Sequence, residues 1–381
     1  MKIAIPKATF EGEQRVSLVP ETCTRIKKLG LEVLLEAGAG AGAGFPDHEY
    51  EAAGARVMAD GSAMMQEADI VVMLYPPTEA EISRMRSGMT LFSILNPLIR
   101  HDVTRRLAQR GITALAMDMM PRISRAQKMD VLSSQATVAG YKAVLLAASE
   151  LRKMFPLLMT AAGTLTPAKV LILGAGVAGL QAIATARRLG AVVEAFDVRP
   201  AVREQVQSLG AKFVEVESPA ADAEDKGGYA KEMSEAYKQK QAEAIARHVK
   251  DADVAISTAL IPGKPAPRLI TSAMVATMRP GSVIIDLAAE AGGNCELTRP
   301  GERVMTDNGA LVLGPRNLPS TVPYHASQMY SRNIASFLQD LVKNGQLTLS
   351  MEDECVAGTL ITHGGQVVHP RIKDLMESAT A

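Results

Sequence analysis

Tryptophan is absent from this chain, and tyrosine and phenylalanine together bring aromatic content to only 4%. Its cores must therefore be filled by aliphatic side chains, and 20 methionines with abundant alanine suit helices packed on sheets. Cysteine is scarce too. Cys23, Cys295 and Cys355 are widely spaced and odd in number, which excludes a disulfide framework or a CxxC pair and suits a reducing cytoplasm. Net charge is also missing: 41 Lys and Arg balance 41 Asp and Glu, so no overall field draws the protein to nucleic acid or anionic lipid. No apolar run reaches membrane length. The greasiest stretch, 154–174, is broken by Pro156, Thr160, Gly163, Thr164, Thr166, Pro167 and Lys169, so no direct membrane span is expected. The first residues lack the apolar core of a signal peptide, and export is not expected. The six histidines show no HExxH or HxH spacing, so no metal site is expected; no GxSxG, paired catalytic carboxylates or Cys/His signature stands out.

What is present is length and alternation. A chain of 381 residues with 47% hydrophobic content exceeds one usual domain. Strand-like runs at 2–6, 31–36, 70–74, 90–94 and 113–116 alternate with helical patterns at 20–29 and 47–53, which implies parallel βαβ units. A long connecting helix is predicted over 136–154. A second sheet follows, with strands at 169–173, 192–196, 212–216, 254–257, 283–287 and 311–313. Residues 323–343 carry Met329, Ile334, Phe337, Leu338 and Leu341 on one face and read as a return helix, stopped by Asn344-Gly345 as a C-cap. Short strands are predicted at 348–351, 359–362 and 366–368, beside the first sheet. The expected fold is α/β: two doubly wound Rossmann-like domains joined by long helices, one built from 1–135 plus 323–381 and the other from 136–322.

Chemistry concentrates in one motif. A lone GxGxxG is a weak signal, but Gly174-Ala175-Gly176-Val177-Ala178-Gly179 follows the apolar strand Val170 to Leu173 at once and opens a helix ending near Gly190. Gly174 permits a tight turn, Gly176 lets backbone approach a pyrophosphate, and Gly179 allows close helix–strand packing. Phosphates would meet free N–H groups and the positive end of the helix dipole. Asp197 closes the next strand about 20 residues later, where a carboxylate can accept from a ribose 2′-hydroxyl and repel a 2′-phosphate. The expected ligand is NAD, with Val198 and Arg199 beside that carboxylate; Arg199 keeps NADP open as an alternative. The rival run Gly38 to Gly44 also follows a strand, but its helix starts too late for the third glycine, and it reads as a loop.

Three further segments stand out. Pro121 to Asp130 is polar and precedes the connecting helix, as a ligand crevice or a solvated loop. Residues 218–240 form a long polar excursion holding Gly227-Gly228-Tyr229, as a lid or a disordered segment. Thr258, Ala259 and Leu260 end a strand at the edge where cofactors lie, as a cofactor contact or a plain turn.

The runs PRISRAQKMD, GAGVAGLQAIATARRLGA, GGYAKEM, TALIPGKPAP and GSVIIDLAAEAGGN together resemble the NAD(H)-binding α subunits of proton-translocating, Re/Si-specific NAD(P) transhydrogenase, in the form where that component is separate and soluble. The likeness runs nearly end to end. It implies hydride transfer between NADH here and NADP on a partner subunit, coupled to proton movement in membrane subunits. It also implies a homodimer, lying in the cytoplasm and peripheral to the inner (plasma) membrane through its partners. Arg122, Gln127, Asp130 and Ser133 would surround the nicotinamide, the first three as its catalytic neighbours. Gly174 to Gly179 would hold the pyrophosphate, Asp197 the adenosine ribose, and Tyr229 would sit on a mobile loop closing over the nucleotide. The runner-up is alanine dehydrogenase, which shares the fold and Arg15. That reaction needs a proton donor and charged substrate anchors. Here Asn96 stands where that enzyme has His, Met73 or Tyr75 where it has a substrate lysine, and Glu290 where it has its aspartate. A third possibility is a non-catalytic NAD(H) sensor, disfavoured because a sensor could bind adenosine alone.

Overall fold

The computed structural model describes residues 1–216 and 235–378. The chain divides into two compact units, Met1–Gln135 with Pro319–Ala381, and Ala136–Leu318.

The first unit is built on an eight-stranded sheet. Its order runs Gln366–Val367, Leu360–His363, Thr113–Ala116, Thr90–Ser93, Ile70–Val72, Lys2–Ile5, Glu32–Glu36 and Arg56–Met58. All pairings from Thr113–Ala116 onward are parallel, while Leu360–His363 joins antiparallel to Thr113–Ala116. Strand periodicity sends Ile3, Ile5, Val33 and Leu35 to one core and Ala4 and Leu34 to the other, so both faces are covered, as parallel sheets require. The helix Pro323–Leu341 buries Tyr330, Ile334, Phe337 and Leu338 in the first of these cores.

The second unit is built on a seven-stranded sheet in the order Lys212–Phe213, Val192–Phe196, Lys169–Leu173, Val254–Ser257, Val283–Asp286, Leu311–Leu313 and Arg303–Met305. Only the last pairing is antiparallel. Winding starts at Lys169–Leu173, moves to one side, and reverses across it to Val254–Ser257. That reversal is the topological switch point at which doubly wound sheets bind ligands.

Several local expectations need correction. The connecting helix is Val131–Glu150, starting earlier and stopping sooner than predicted. By length and composition alone it could cross a membrane, yet its Ala143, Val144 and Ala147 are fully buried in the second unit's core. After it, Leu158–Thr160 and Gly163–Leu165 form an unforeseen antiparallel hairpin. Asn344-Gly345 is a hairpin turn between Val342–Lys343 and Gln346–Leu347 and not a helix cap: both residues adopt positive φ (51° and 73°), the demand of a two-residue hairpin turn. The strand expected at 348–351 does not form, and Asp353 instead caps the helix Glu354–Thr359 by accepting from the Cys355 N–H. The strand expected at 212–216 ends at Phe213. Arg56–Met58 and Arg303–Met305 are strands at sheet edges that alternation did not reveal.

Candidate dinucleotide site

Three strand ends meet at the second unit's switch point. Gly174 follows Leu173 with φ +100°, a conformation that only glycine adopts cheaply. The three glycines play different physical parts. A Cβ on Gly179 would lie 1.8 Å from the Gly174 carbonyl oxygen, so helix and turn touch backbone to backbone. A Cβ on Gly174 would lie 2.7 Å from Thr258 Oγ1. A Cβ on Gly176 meets nothing within 4 Å among the described residues, so the side left bare there is open with respect to them. Gly176 begins the helix Val177–Arg188 and no side chain among the described residues caps it, so its first N–H groups are available to an anion. Val177 is exposed, Ala178 half-buried and Ala175 buried. The turn is a cradle shaped by contacts on one side and left open on the other, and this fits a dinucleotide pyrophosphate.

Asp197 lies at the end of the neighbouring strand. Its carboxylate accepts from the Ala175 N–H (2.7 Å), the Arg199 N–H (2.9 Å), and Arg199 Nε (3.0 Å) and guanidinium (3.1 Å). It therefore ties the glycine turn to the adjacent strand end. The Arg199 cation is engaged by that carboxylate and does not stand alone as a phosphate anchor. Val198 is half-buried beside it.

Thr258 donates to the Gly174 carbonyl (3.0 Å), which makes it a support of the turn. Behind it lie residues that motif reading passed over. Asn294, fully buried, accepts from the Ala259 N–H (3.0 Å) and donates to the carbonyls of Ala259 (2.9 Å) and Pro267 (2.8 Å). Asp286, also fully buried, accepts from the N–H groups of Ala288 and Cys295 and from Thr298 Oγ1. Leu260 is exposed. Gly140 was missed as well: a Cβ there would lie 2.1 Å from the Ala178 carbonyl, so the connecting helix packs directly on the nucleotide helix. A glycine within a helical run was the only available signal.

In the first unit, Ser124–Met129 is a 3₁₀ helix with Ala126 and Met129 buried and Gln127 exposed. Arg122 is exposed on the approach to it. Asp130 accepts from the Ser133 N–H (2.9 Å) and Oγ (2.6 Å), so these two predicted contacts bond to each other at the start of the connecting helix. Tyr229 lies outside the described residues.

The first unit's own switch point, between Lys2–Ile5 and Ile70–Val72, looks different. Arg15 is buried there, paired with the Glu13 carboxylate (2.6 Å) and donating to Gln135 Oε1 (2.8 Å). The Tyr75 hydroxyl accepts from the Thr9 N–H (2.8 Å) and donates to Glu81 (3.1 Å), and burial raises its pKa. The remaining cavity, lined by Pro6, Arg15, Met73 and Tyr75 among others, is about 10 Å³, room for at most about one water. Asn96 is exposed in a left-handed conformation (φ 49°), and its N–H donates to Asp118, whose carboxyl burial pushes above the usual range. Glu290 is exposed on a single 3₁₀ turn.

These features define a two-unit α/β protein with, at one switch point, a glycine turn whose shape fits a dinucleotide. Family models described as "Alanine dehydrogenase/PNT, N-terminal domain" and "Alanine dehydrogenase/PNT, C-terminal domain" match residues 4–139 and 143–370, and the chain belongs to that family. It is 50% identical over 380 residues to an NAD(P) transhydrogenase subunit alpha chain of Rhodospirillum rubrum, covering 98% of this chain and 99% of that one. Its fold is similar to the crystal structure of transhydrogenase from Sinorhizobium meliloti, with TM-score 0.87 and 46% identity over 97% of this chain and 100% of that chain. Alanine dehydrogenase of Halomonas elongata is more distant, 30% identical over 98% of this chain and 96% of its own length.

Proposed function

We propose that this chain is the NAD(H)-binding α component of a proton-translocating NAD(P) transhydrogenase, active with partner subunits that bind NADP and cross the membrane. The carrying observation is the open side of Gly176 above uncapped helix N–H groups, with Asp197 at the next strand end. The names of the relatives at 40–50% identity support the same reading. When bound, the dihydronicotinamide supplies a hydride, which passes with its electron pair to the nicotinamide ring of NADP⁺.

In this reading the residues hold and orient. Gly174 to Gly179 bind the pyrophosphate, while Asp197 accepts from the adenosine ribose and disfavours a 2′-phosphate. Arg122, Gln127, Asp130 and Ser133 position the nicotinamide. Only hydride moves between the reacting carbons, so positioning and exclusion of water suffice without a proton donor. The alanine dehydrogenase alternative needs charged substrate anchors, and here the buried Arg15 already carries Glu13. The test is an absorbance assay of the purified chain: no NADH oxidation is expected with pyruvate and ammonia, and rapid oxidation with NADP⁺ once an NADP-binding transhydrogenase subunit is added. Robust alanine formation by the chain alone would overturn the assignment.

The homodimer and the peripheral membrane position belong to the same proposal. The hairpin Leu158–Thr160/Gly163–Leu165 supports a dimer, because Met159 is 80% and Leu165 48% exposed, as apolar side chains awaiting a cover. Sedimentation equilibrium should give twice the chain mass, and a monomer at micromolar concentration would remove that element of the reading.

A further inference from the structure

The segment expected to hold the nicotinamide is a short 3₁₀ run tied to distant parts of the chain. Ser124–Met129 is a 3₁₀ turn, whose hydrogen bonds are poorly aligned, and the Asp130 N–H reaches the Gln127 carbonyl only at 3.4 Å. Buried Ala126 and Met129 fix its inner side but not the exposed side that carries Gln127. The segment is held on both flanks of Gln127 by residues more than 200 positions away in the chain. Before it, Arg125 makes a two-pronged pair with Asp353 (2.6 and 3.0 Å). After it, the Asn333 side-chain amide donates to the Lys128 carbonyl (2.9 Å), and Lys128 Nζ lies 3.3 Å from Asp340.

From this geometry we infer that Asn333 and Asp353 are positioning residues for hydride transfer, acting through the backbone that carries Gln127. This rests on the reading of that loop as the nicotinamide holder. Asn333 is 8% exposed on the buried side of Pro323–Leu341, which also buries Ser327 and Ser331; their hydroxyls accept from the Val16 and Val19 N–H groups, whereas the Asn333 Oδ1 has no partner among the described residues. Leucine there would remove the unpaired acceptor and at the same time take the donor from the Lys128 carbonyl. The hydrogen bond that its side chain does make goes to the loop. Asp353 has two tasks: it caps Glu354–Thr359 through the Cys355 N–H and faces Arg125, which holds its carboxyl below the usual range. The tasks are separable, since asparagine also caps helices but does not carry the charge that grips a guanidinium.

The experiment measures single-turnover hydride transfer from NADH to NADP⁺ by the full chain with an NADP-binding partner subunit, alongside NADH affinity by fluorescence and the melting temperature. Asn333→Leu should slow transfer about tenfold or more with NADH affinity within about twofold, because small misplacements act on reaction geometry before binding. Asp353→Asn, which keeps the cap, should give a smaller slowing of the same kind and covers the case in which Asn333→Leu fails to fold. Gln127→Asn separates the levels. If it slows transfer while Asn333→Leu and Asp353→Asn do not, the positioning role is overturned and the loop's role stands. If Gln127→Asn is itself silent, both fall. A parallel loss of rate, affinity and melting temperature in Asn333→Leu would make the residue merely structural and also overturn the inference.

Discussion

The two sheets reverse their winding in the same way, and their switch points have opposite contents. In the second unit a bare glycine edge faces open space beside a carboxylate. In the first, the corresponding crevice is filled by a buried Arg15–Glu13 pair, Gln135 and a tethered Tyr75, leaving about 10 Å³. Topology creates a place for a ligand, and the loop side chains decide whether anything enters. A substrate carboxylate would have to displace Glu13 from a buried guanidinium to reach Arg15.

The sharpest way to break this contrast is Gly179→Ala. With a carbonyl oxygen 1.8 Å from the added carbon, the turn must open, and we expect a loss near the upper end for point mutants, about 4 kcal/mol, together with NADH binding. A calorimetric melt and a fluorescence titration check both; unchanged melting would mean that helix and turn are not in contact. Next is Glu13→Ala in the closed crevice, which removes the carboxylate from a buried Arg15. It should cost about 3 kcal/mol by urea titration and leave NADH affinity unchanged. A large change in NADH affinity would show that the first crevice is not independent of the second. The smallest effect on stability is expected from Gly176→Ala, below about 0.5 kcal/mol, since the position has φ −75° and a free Cβ direction. Its methyl group nevertheless stands where backbone must approach phosphate, so NADH affinity should fall about tenfold or more. Retained affinity would place the pyrophosphate elsewhere.

Much of this was legible locally. An apolar strand, three glycines, a helix and an acid about 20 residues later are all set by neighbours in the chain, and the strand, turn and helix form as the spacing implied, with Asp197 at the next strand end bonded to Ala175 and Arg199. What escaped were partners separated by long stretches of chain. Arg15 was readable as a shared residue, but the burial of its pair with Glu13 also relies on a hydrogen bond to Gln135, 120 positions away. The supports Asn333 and Asp353 follow the loop they grip by more than 200 residues. Asn344-Gly345 failed for another reason: helix stops and tight hairpins both favour left-handed residues, and only the pairing of Val342 with Leu347 separates them.

The Asp286 carboxylate touches no atom of the glycine turn, yet it works as a clasp for it. Its bonds to Ala288, Cys295 and Thr298 fold residues 286–298 into a closed loop, and that loop presents Asn294 to Ala259 and Pro267. The strand end beside the cradle is therefore braced at one remove, through Asn294 and the loop that Asp286 closes. The brace is borrowed: a fully buried side chain, bonded to its own loop, supports the wall beside the glycine turn.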